Sequence, residues 1–539
     1  MKVSASSRSN LLRFFEAPNR FNDLKGDILG NRYILTAQLA AGLLSVSTIS
    51  VNGAFEPSNI IPPKPMREMR GAWIATIGNL DWPLKKGSST AEQKAELIAL
   101  LDRAAQLKLN TIIFQVRPAC DALYASSLEP WSEYLTGTMG KAPLPFYDPL
   151  AFAVQEAHKR GLELHAWFNP YRARNTAVRW PIAANHVINA HPSWVRRYGS
   201  QWWLDPGEKS VQEHLLKVVL DVVRRYDVDA IHFDDYFYPY PEKDRSGKAI
   251  DFPDYSSWKH FGVGGNLSRE DWRRENVNAL IHQIYESIKA TKPWVKFGVS
   301  PFGIWRPGEP AQVKGFDAYA SLYADSRKWL ANGWVDYLAP QLYWPIDSRE
   351  QSFPVLLKWW TDQNVKNRCL AAGLDSTKAN GKWKLQEIPN QIQVTRQQSG
   401  VSGHIHWNMT ALMRNGPLAG KLEGETYEKP ALTPASASLG NERPPKPTLS
   451  FDAGTTKAKT TRPAPSAKEP GLRVRWEGNE KTWLWLLQTR TRSEWRTDVL
   501  PDSQRSRVWP GSQPEVIAVT AIDRYGNAGP ASVFQQSRR

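Results

Sequence analysis

From Met66 onward, short apolar runs rich in β-formers alternate with longer stretches whose apolar residues recur every three or four positions, the pattern of a parallel α/β fold. Residues 68–76 (EMRGAWIAT) read as a first strand, and residues 90–108 follow as a helix with Leu97, Leu100, Leu101, Ala104 and Leu107 on one face. The alternation continues with strands at 111–117, 162–169, 229–235, 296–301, 336–343, 369–374 and 403–408. Helices at 149–160, 211–226, 270–290, 321–332, 354–363 and 388–398 separate most of them. Eight such units predict a closed (β/α)8 TIM barrel over residues 66–427. No G-x-G-x-x-G follows the first strand, which removes the usual dinucleotide-binding alternative.

Residues 428–470 are rich in Pro, Ala, Ser, Thr and Lys and read as a semi-extended linker. Beyond it, strand-like runs at 472–476, 482–488 and 516–522 predict a small C-terminal all-β sandwich over 471–539, resembling a fibronectin type III module. Residues 1–54 read as a leader. An apolar run at 33–51 follows Arg32, and Val51-Asn52-Gly53-Ala54 offers small residues for signal peptidase, so cleaved export to the periplasm or cell envelope is expected. Polar residues within the run, Gln38 and Ser45 among them, argue against a stable membrane span, and the absence of a nearby Cys argues against a lipid anchor.

Composition narrows the partners. The net charge of +16 favours polyanions of any kind. The chain lacks a zinc-type Cys pattern, an arginine-rich tract and an RNA-binding sheet motif, so no nucleic acid partner is expected. Two cysteines, Cys120 and Cys369, are too few for a disulfide framework and read as free thiols. The 24 Trp, 18 Tyr and 18 Phe mostly pack cores, but rings at strand ends suit the C–H faces of sugars.

In a TIM barrel the chemistry sits at the C-terminal ends of the strands. Those ends carry Arg117, Asn169, Arg172, Asp234, Asp235, Tyr236, Ser300, Trp305, Gln341, Tyr343, Trp344, Asp375, His406, Trp407 and Asn408. Two adjacent carboxyls at the end of a buried strand are costly unless they bind a cation, meet Arg or perform acid–base work, so Asp234 and Asp235 are the candidate catalytic residues. Strand alternation places His232, Asp234 and Tyr236 on one face and Phe233 with Asp235 on the other. Arg117, Asn169, Arg172, Tyr236, Trp305, Gln341, Tyr343, Trp344, Asp375, His406 and Trp407 are the candidate substrate-binding residues. His404 and His406 form at most half of a metal site, and the first strand offers Arg70-Gly71-Ala72-Trp73 where a metal hydrolase would place H-x-H, so neither metal nor cofactor is expected.

At these residues the chain resembles the bacterial glycosyl-hydrolase-like family 10 barrels. The carrying stretches are REMRGAWIAT at Arg67, NTIIFQVRPACDALYASSLEPWSEYLTG at Asn110, YDPLAFAVQEAHKRGLELHAWFNPYR at Tyr147, WLDPG at Trp203, DAIHFDDYFYP at Asp229, FGVSPFGIWR at Phe297 and VDYLAPQLYW at Val335. The resemblance implies hydrolysis of a cell-envelope glycan, peptidoglycan strands freed of stem peptides, since a characterised enteric member cuts that polymer at division sites. That member is a lipoprotein, which this chain does not match. The xylanase family of the same number, with paired Glu on strands four and seven, is a different one.

Glycoside hydrolysis usually takes two carboxyls, but an N-acetyl group on the sugar can replace the nucleophile. One Asp of the pair would then protonate the leaving oxygen while the other orients the acetamido group; Asp375 or Glu309 would serve in a two-carboxylate scheme. The rival reading is a non-catalytic glycan-binding barrel of the cell envelope. A deacetylase-like hydrolase would need a metal triad that the strand ends do not supply.

Overall fold

The computed structural model describes residues 55–175, 181–436, 438–454 and 471–537. The leader at 1–54, with its targeting segment, lies outside the described residues. Eight parallel strands close into a barrel in chain order: β1 Met69–Ile74, β2 Thr111–Arg117, β3 Glu163–Phe168, β4 Ala230–Phe233, β5 Lys296–Val299, β6 Tyr337–Leu338, β7 Cys369–Asp375 and β8 Gly403–Trp407. Around it stand α1 Thr90–Gln106, α2 Pro149–His158, α3 Lys209–Arg225, α4 Arg269–Thr291, α5 Ser326–Asn332, α6 Phe353–Gln363 and α7 Glu387–Gln397. The expected strand at 336–343 is ladder for two residues only, because Pro340 has no N–H to contribute.

Strand alternation divides the core into two layers. Met69, Trp73, Ile113, Trp167, Ala230, Tyr337, Ala371 and Ile405 fill the barrel interior. Ala72, Ile112, Phe114, Leu164, Phe233 and Leu374 face outward onto the helices. α1 shows how locally this is encoded. Ser89 and Glu92 close a capping box at its start, and Leu97, Leu100, Leu101 and Ala104 form its buried stripe.

At the other end of the chain a five-stranded antiparallel sheet (Phe55–Pro57, Leu484–Thr491, Glu494–Pro501, Val516–Ile522, Ser532–Gln536) faces a three-stranded one (Thr448–Gly454, Gly471–Glu477, Ser506–Trp509). Leu472, Val474, Trp476, Trp485, Leu487, Ile517 and Val519 fill the space between them. Two segments of this unit lie outside the expected span of 471–539. Thr448–Gly454, inside the stretch read as linker, pairs in full register with Gly471–Glu477, and Phe55–Pro57 pairs with Ser532–Gln536. The pairing partner, not composition, makes these segments strands: Thr448–Gly454 has only Leu449 and Phe451 as large apolar residues, packed against the sandwich core.

Ala431–Leu432 also leaves the expected linker, pairing with Met66–Arg67 beside the barrel. Leu432 then packs against Leu484, Leu486 and Ile522 of the sandwich, while Arg524 pairs with Asp227 and Trp483 lies 4.4 Å from the His158 ring.

Candidate functional site

β4 ends at Phe233, so the two acids stand one and two residues beyond the ladder, at the C-terminal mouth of the barrel. His232 points into the barrel and Phe233 outward, as alternation requires. Asp234 and Asp235 are 3% and 5% exposed, and among the described residues neither has a cation within ion-pair distance. Each is held instead by neutral donors. Asp234 accepts from Trp167 Nε1 at 3.0 Å and from Asn169 Nδ2 at 3.0 Å, whereas Asp235 accepts from Gln341 Nε2 at 3.0 Å and from the Tyr240 hydroxyl.

Burial raises the Asp234 carboxyl to about 7; the neighbouring Asp235 adds to the rise, while Arg172 and the two donors oppose it. Asp235 is raised as well, by burial first, with Tyr240 and Gln341 holding it down. A carboxyl near neutrality beside a second carboxyl is the arrangement in which one member carries a proton while its partner is ionised. Asp234 is the member that holds a proton near neutrality.

Aromatic rings line the mouth. Trp407 stands 6.2 Å from both Trp73 and Trp167, forming a floor of tilted indoles. On the β4 to β6 side Tyr236, Tyr240, Phe302 and Trp344 make a wall of edge-to-face contacts. The Arg172 guanidinium lies 4.1 Å from the centre of the Tyr236 ring, so its charge faces the acid pair from the rim. Tyr343, half-buried, places its phenol near Asp375, Asp235 and Tyr236, and burial first, then these acids, raise it well above its ordinary value. Lys378 pairs with Asp375 at 3.1 Å, which removes Asp375 as an uncommitted second acid. Glu309 is exposed on the loop after β5.

Residues 68–387 match the family described as "Glycosyl hydrolase-like 10". The chain belongs to that family. It is 43% identical over 398 residues to "Glycosyl hydrolase YngK" of Bacillus subtilis, covering 71% of this chain and 76% of that one. It is 39% identical over 330 residues to "Glycosyl hydrolase DigH" of Escherichia coli, covering 57% and 73% respectively. Among solved structures, the glycoside hydrolase domain of PgaB from Bordetella bronchiseptica aligns at 12% identity with a TM-score of 0.43, over 66% of this chain and 98% of that one.

Within this family member, three of the expected substrate contacts point elsewhere. Arg117 is fully buried, with a two-point ion pair to Glu129 and bonds to the carbonyls of Asn169 and Pro170, so its donors are spent on Glu129 and the loop after β3. His406 faces outward from β8, bonded to Ser376 and Tyr427, because alternation turns Ile405 and Trp407 inward and their neighbours away. Trp305 donates to Asp325 and stacks on Trp359 of α6, in the outer helical layer. Asn169 is at the mouth, but its amide is committed to Asp234.

Sequence reasoning missed Trp73, Trp167 and Tyr240. The first two were legible: Trp167 shares the inward face of β3 with His165 and Asn169, and Trp73 that of β1 with Met69. Tyr240 lies past a turn, where no periodicity indicates what it will meet.

Proposed function

We propose that the protein is an exported glycoside hydrolase that cleaves peptidoglycan glycan strands freed of stem peptides, using Asp234 and Asp235. One observation carries the reading: two adjacent, buried carboxyls without an ion-pair partner among the described residues, set beside a floor of three indoles. Burying such groups is expensive, and a fold that does so without charge neutralisation gains an acid able to give its proton near pH 7. Family membership and the family resemblance of the strand-end motifs support the glycan substrate.

In this mechanism the sugar's C–H face lies on the indole floor. Asp234 gives its proton to the glycosidic oxygen as the C1–O bond breaks. The acetamido oxygen of the same sugar attacks C1, with Asp235, ionised, accepting the acetamido N–H. Water then opens the cyclic intermediate, returning its proton to Asp234. The leaving strand gains a hydroxyl, and configuration at C1 is retained.

Leaving-group chemistry tests the assignment. On an aryl N-acetylglycosaminide whose phenol leaves without protonation, Asp234→Asn should keep most of its turnover while Asp235→Asn stays inactive; the reverse pattern would exchange the two roles. A wild-type protein that binds purified peptide-free strands yet releases no reducing ends would make the barrel a binding scaffold instead. Export predicts a mature N-terminus near Ala54, and recovery of Met1 from envelope protein would refute it.

A further inference from the structure

A chain of buried polar groups runs along the barrel interior beneath the acid pair, and its two ends fix its direction. At the mouth, Trp73 Nε1 lies 3.2 Å from His232 Nε2. His232 Nδ1 is 2.8 Å from the Tyr337 hydroxyl, and that hydroxyl is 2.9 Å from His165 Nδ1. His165 Nε2 is 3.0 Å from Glu163 Oε2. Burial would raise Glu163, but Lys296 at 2.8 Å and the hydrogen bond to His165 together outweigh it and hold the carboxyl ionised. An indole N–H only donates and a carboxylate only accepts. With one proton on each imidazole, every bond between them points the same way: Trp73 to His232 Nε2, His232 Nδ1–H to Tyr337, Tyr337 O–H to His165 Nδ1, and His165 Nε2–H to Glu163.

The alternative polarity fails at both ends, since it would also leave an unprotonated His165 Nε2 facing the Glu163 carboxylate. Reversing the Tyr337 hydroxyl would move the His232 proton to Nε2, where it would face the Trp73 N–H head-on. The fold is shaped to hold the hydroxyl in place: a Cβ at Gly298 would lie 2.0 Å from the Tyr337 ring, so only glycine admits the ring at that point of β5.

We propose that His232 is a positioning residue, kept as the Nδ1–H tautomer by the Tyr337–His165–Glu163 chain so that Nε2 anchors the floor of the cleft. Two groups hang from that nitrogen. One is the Trp73 indole beside Trp407, and the other is the Ser300 hydroxyl at 2.9 Å. The Ser300 carbonyl in turn accepts from Gln341 Nε2 at 3.0 Å, the same nitrogen that holds Asp235. The catalytic consequence rests on the hydrolase reading, whereas the tautomer does not.

Nitrogen NMR of the full-length protein labelled with 15N-histidine, compared with His232→Gln to assign the signal, reads the tautomer without substrate. The expected result is a proton on Nδ1 in wild type and its partial transfer to Nε2 in Tyr337→Phe. Turnover of Tyr337→Phe on peptide-free strands should fall up to roughly tenfold, the worth of one buried hydrogen bond. His232→Gln, whose side-chain carbonyl can take the acceptor place of Nε2, should recover most of the turnover lost in His232→Leu, with the two variants melting alike. A wild-type proton on Nε2 would overturn the proposal. So would Tyr337→Phe with an unchanged tautomer and unchanged turnover, or equal losses in the Gln and Leu variants. Wild-type inactivity on the glycan would defeat the hydrolase reading alone, since the tautomer result still decides this one.

Discussion

Trp167 gives its indole N–H to Asp234 at 3.0 Å while its ring stands 6.2 Å from Trp407, so one side chain both holds the acid and builds the cleft floor. In the proposed reaction, a sugar seated on that floor would sit next to the carboxyl that protonates its glycosidic oxygen. Placing both tasks on β3 fixes their separation by backbone geometry rather than by loop conformation.

Asp234→Asn keeps the shape of the side chain and removes its proton. Turnover on peptide-free strands should fall by about 10²–10⁴-fold, the usual contribution of general acid catalysis. Stability should change in the opposite sense. A carboxyl raised from 3.8 to about 7 favours the fold most at low pH, where it is protonated, and that contribution is lost as pH rises through about 7. The variant should therefore melt like wild type near pH 4 and higher than wild type at pH 8, as differential scanning calorimetry at the two pH values would record.

The pH profile of turnover should be bell-shaped, its alkaline limb set by loss of the Asp234 proton near 7 and its acid limb by protonation of Asp235. Tyr240→Phe removes a donor that holds the Asp235 carboxyl down. Its acid limb should move to higher pH and narrow the bell. An unmoved acid limb would show that Asp235 does not act in its ionised form.

Trp407 is only partly buried and rests on Trp73 and Trp167, so its loss should leave the fold intact. With Trp407→Ala the sugar loses a ring face of about 1.5 kcal/mol, and KM should rise roughly tenfold. Unchanged KM on the polymer would remove the indole floor from the binding site.

Glu129 answers the charge of Arg117 in a pair fully excluded from solvent, with His214 at 3.0 Å as a second partner. Glu129→Ala leaves a buried guanidinium unpaired, and stability should drop by about 3–5 kcal/mol in urea titration. A loss of activity at full stability would instead return Arg117 to the substrate.

Leu432 and Thr433 tie the barrel to its own extension, the Leu432 carbonyl by accepting from the Glu68 N–H at 2.9 Å and Thr433 by a 2.9 Å bond to Glu163. A chain ending at Tyr427 should melt below one ending at Pro434, although neither carries the sandwich. Equal melting temperatures would show that this extension is dispensable to the barrel.

Sequence by itself determined the barrel, because apolar periodicity is local and eight repeats of a βα unit have one common way to close. It also singled out the acid pair, since adjacent carboxyls at a strand end are costly wherever the strand lies. What it could not decide was which polar residues are free. Arg117, His406 and Trp305 have the right chemistry in the right places along the chain, yet their donors are taken by Glu129, Tyr427 and Asp325, residues 12, 21 and 20 positions away. Hydrogen bonds of that kind are satisfied across space, and only the closed barrel brings the partners together. The same holds for Thr448–Gly454, a strand by virtue of its neighbour, and for His232, whose Nε2 meets the indole N–H of a tryptophan 159 residues away.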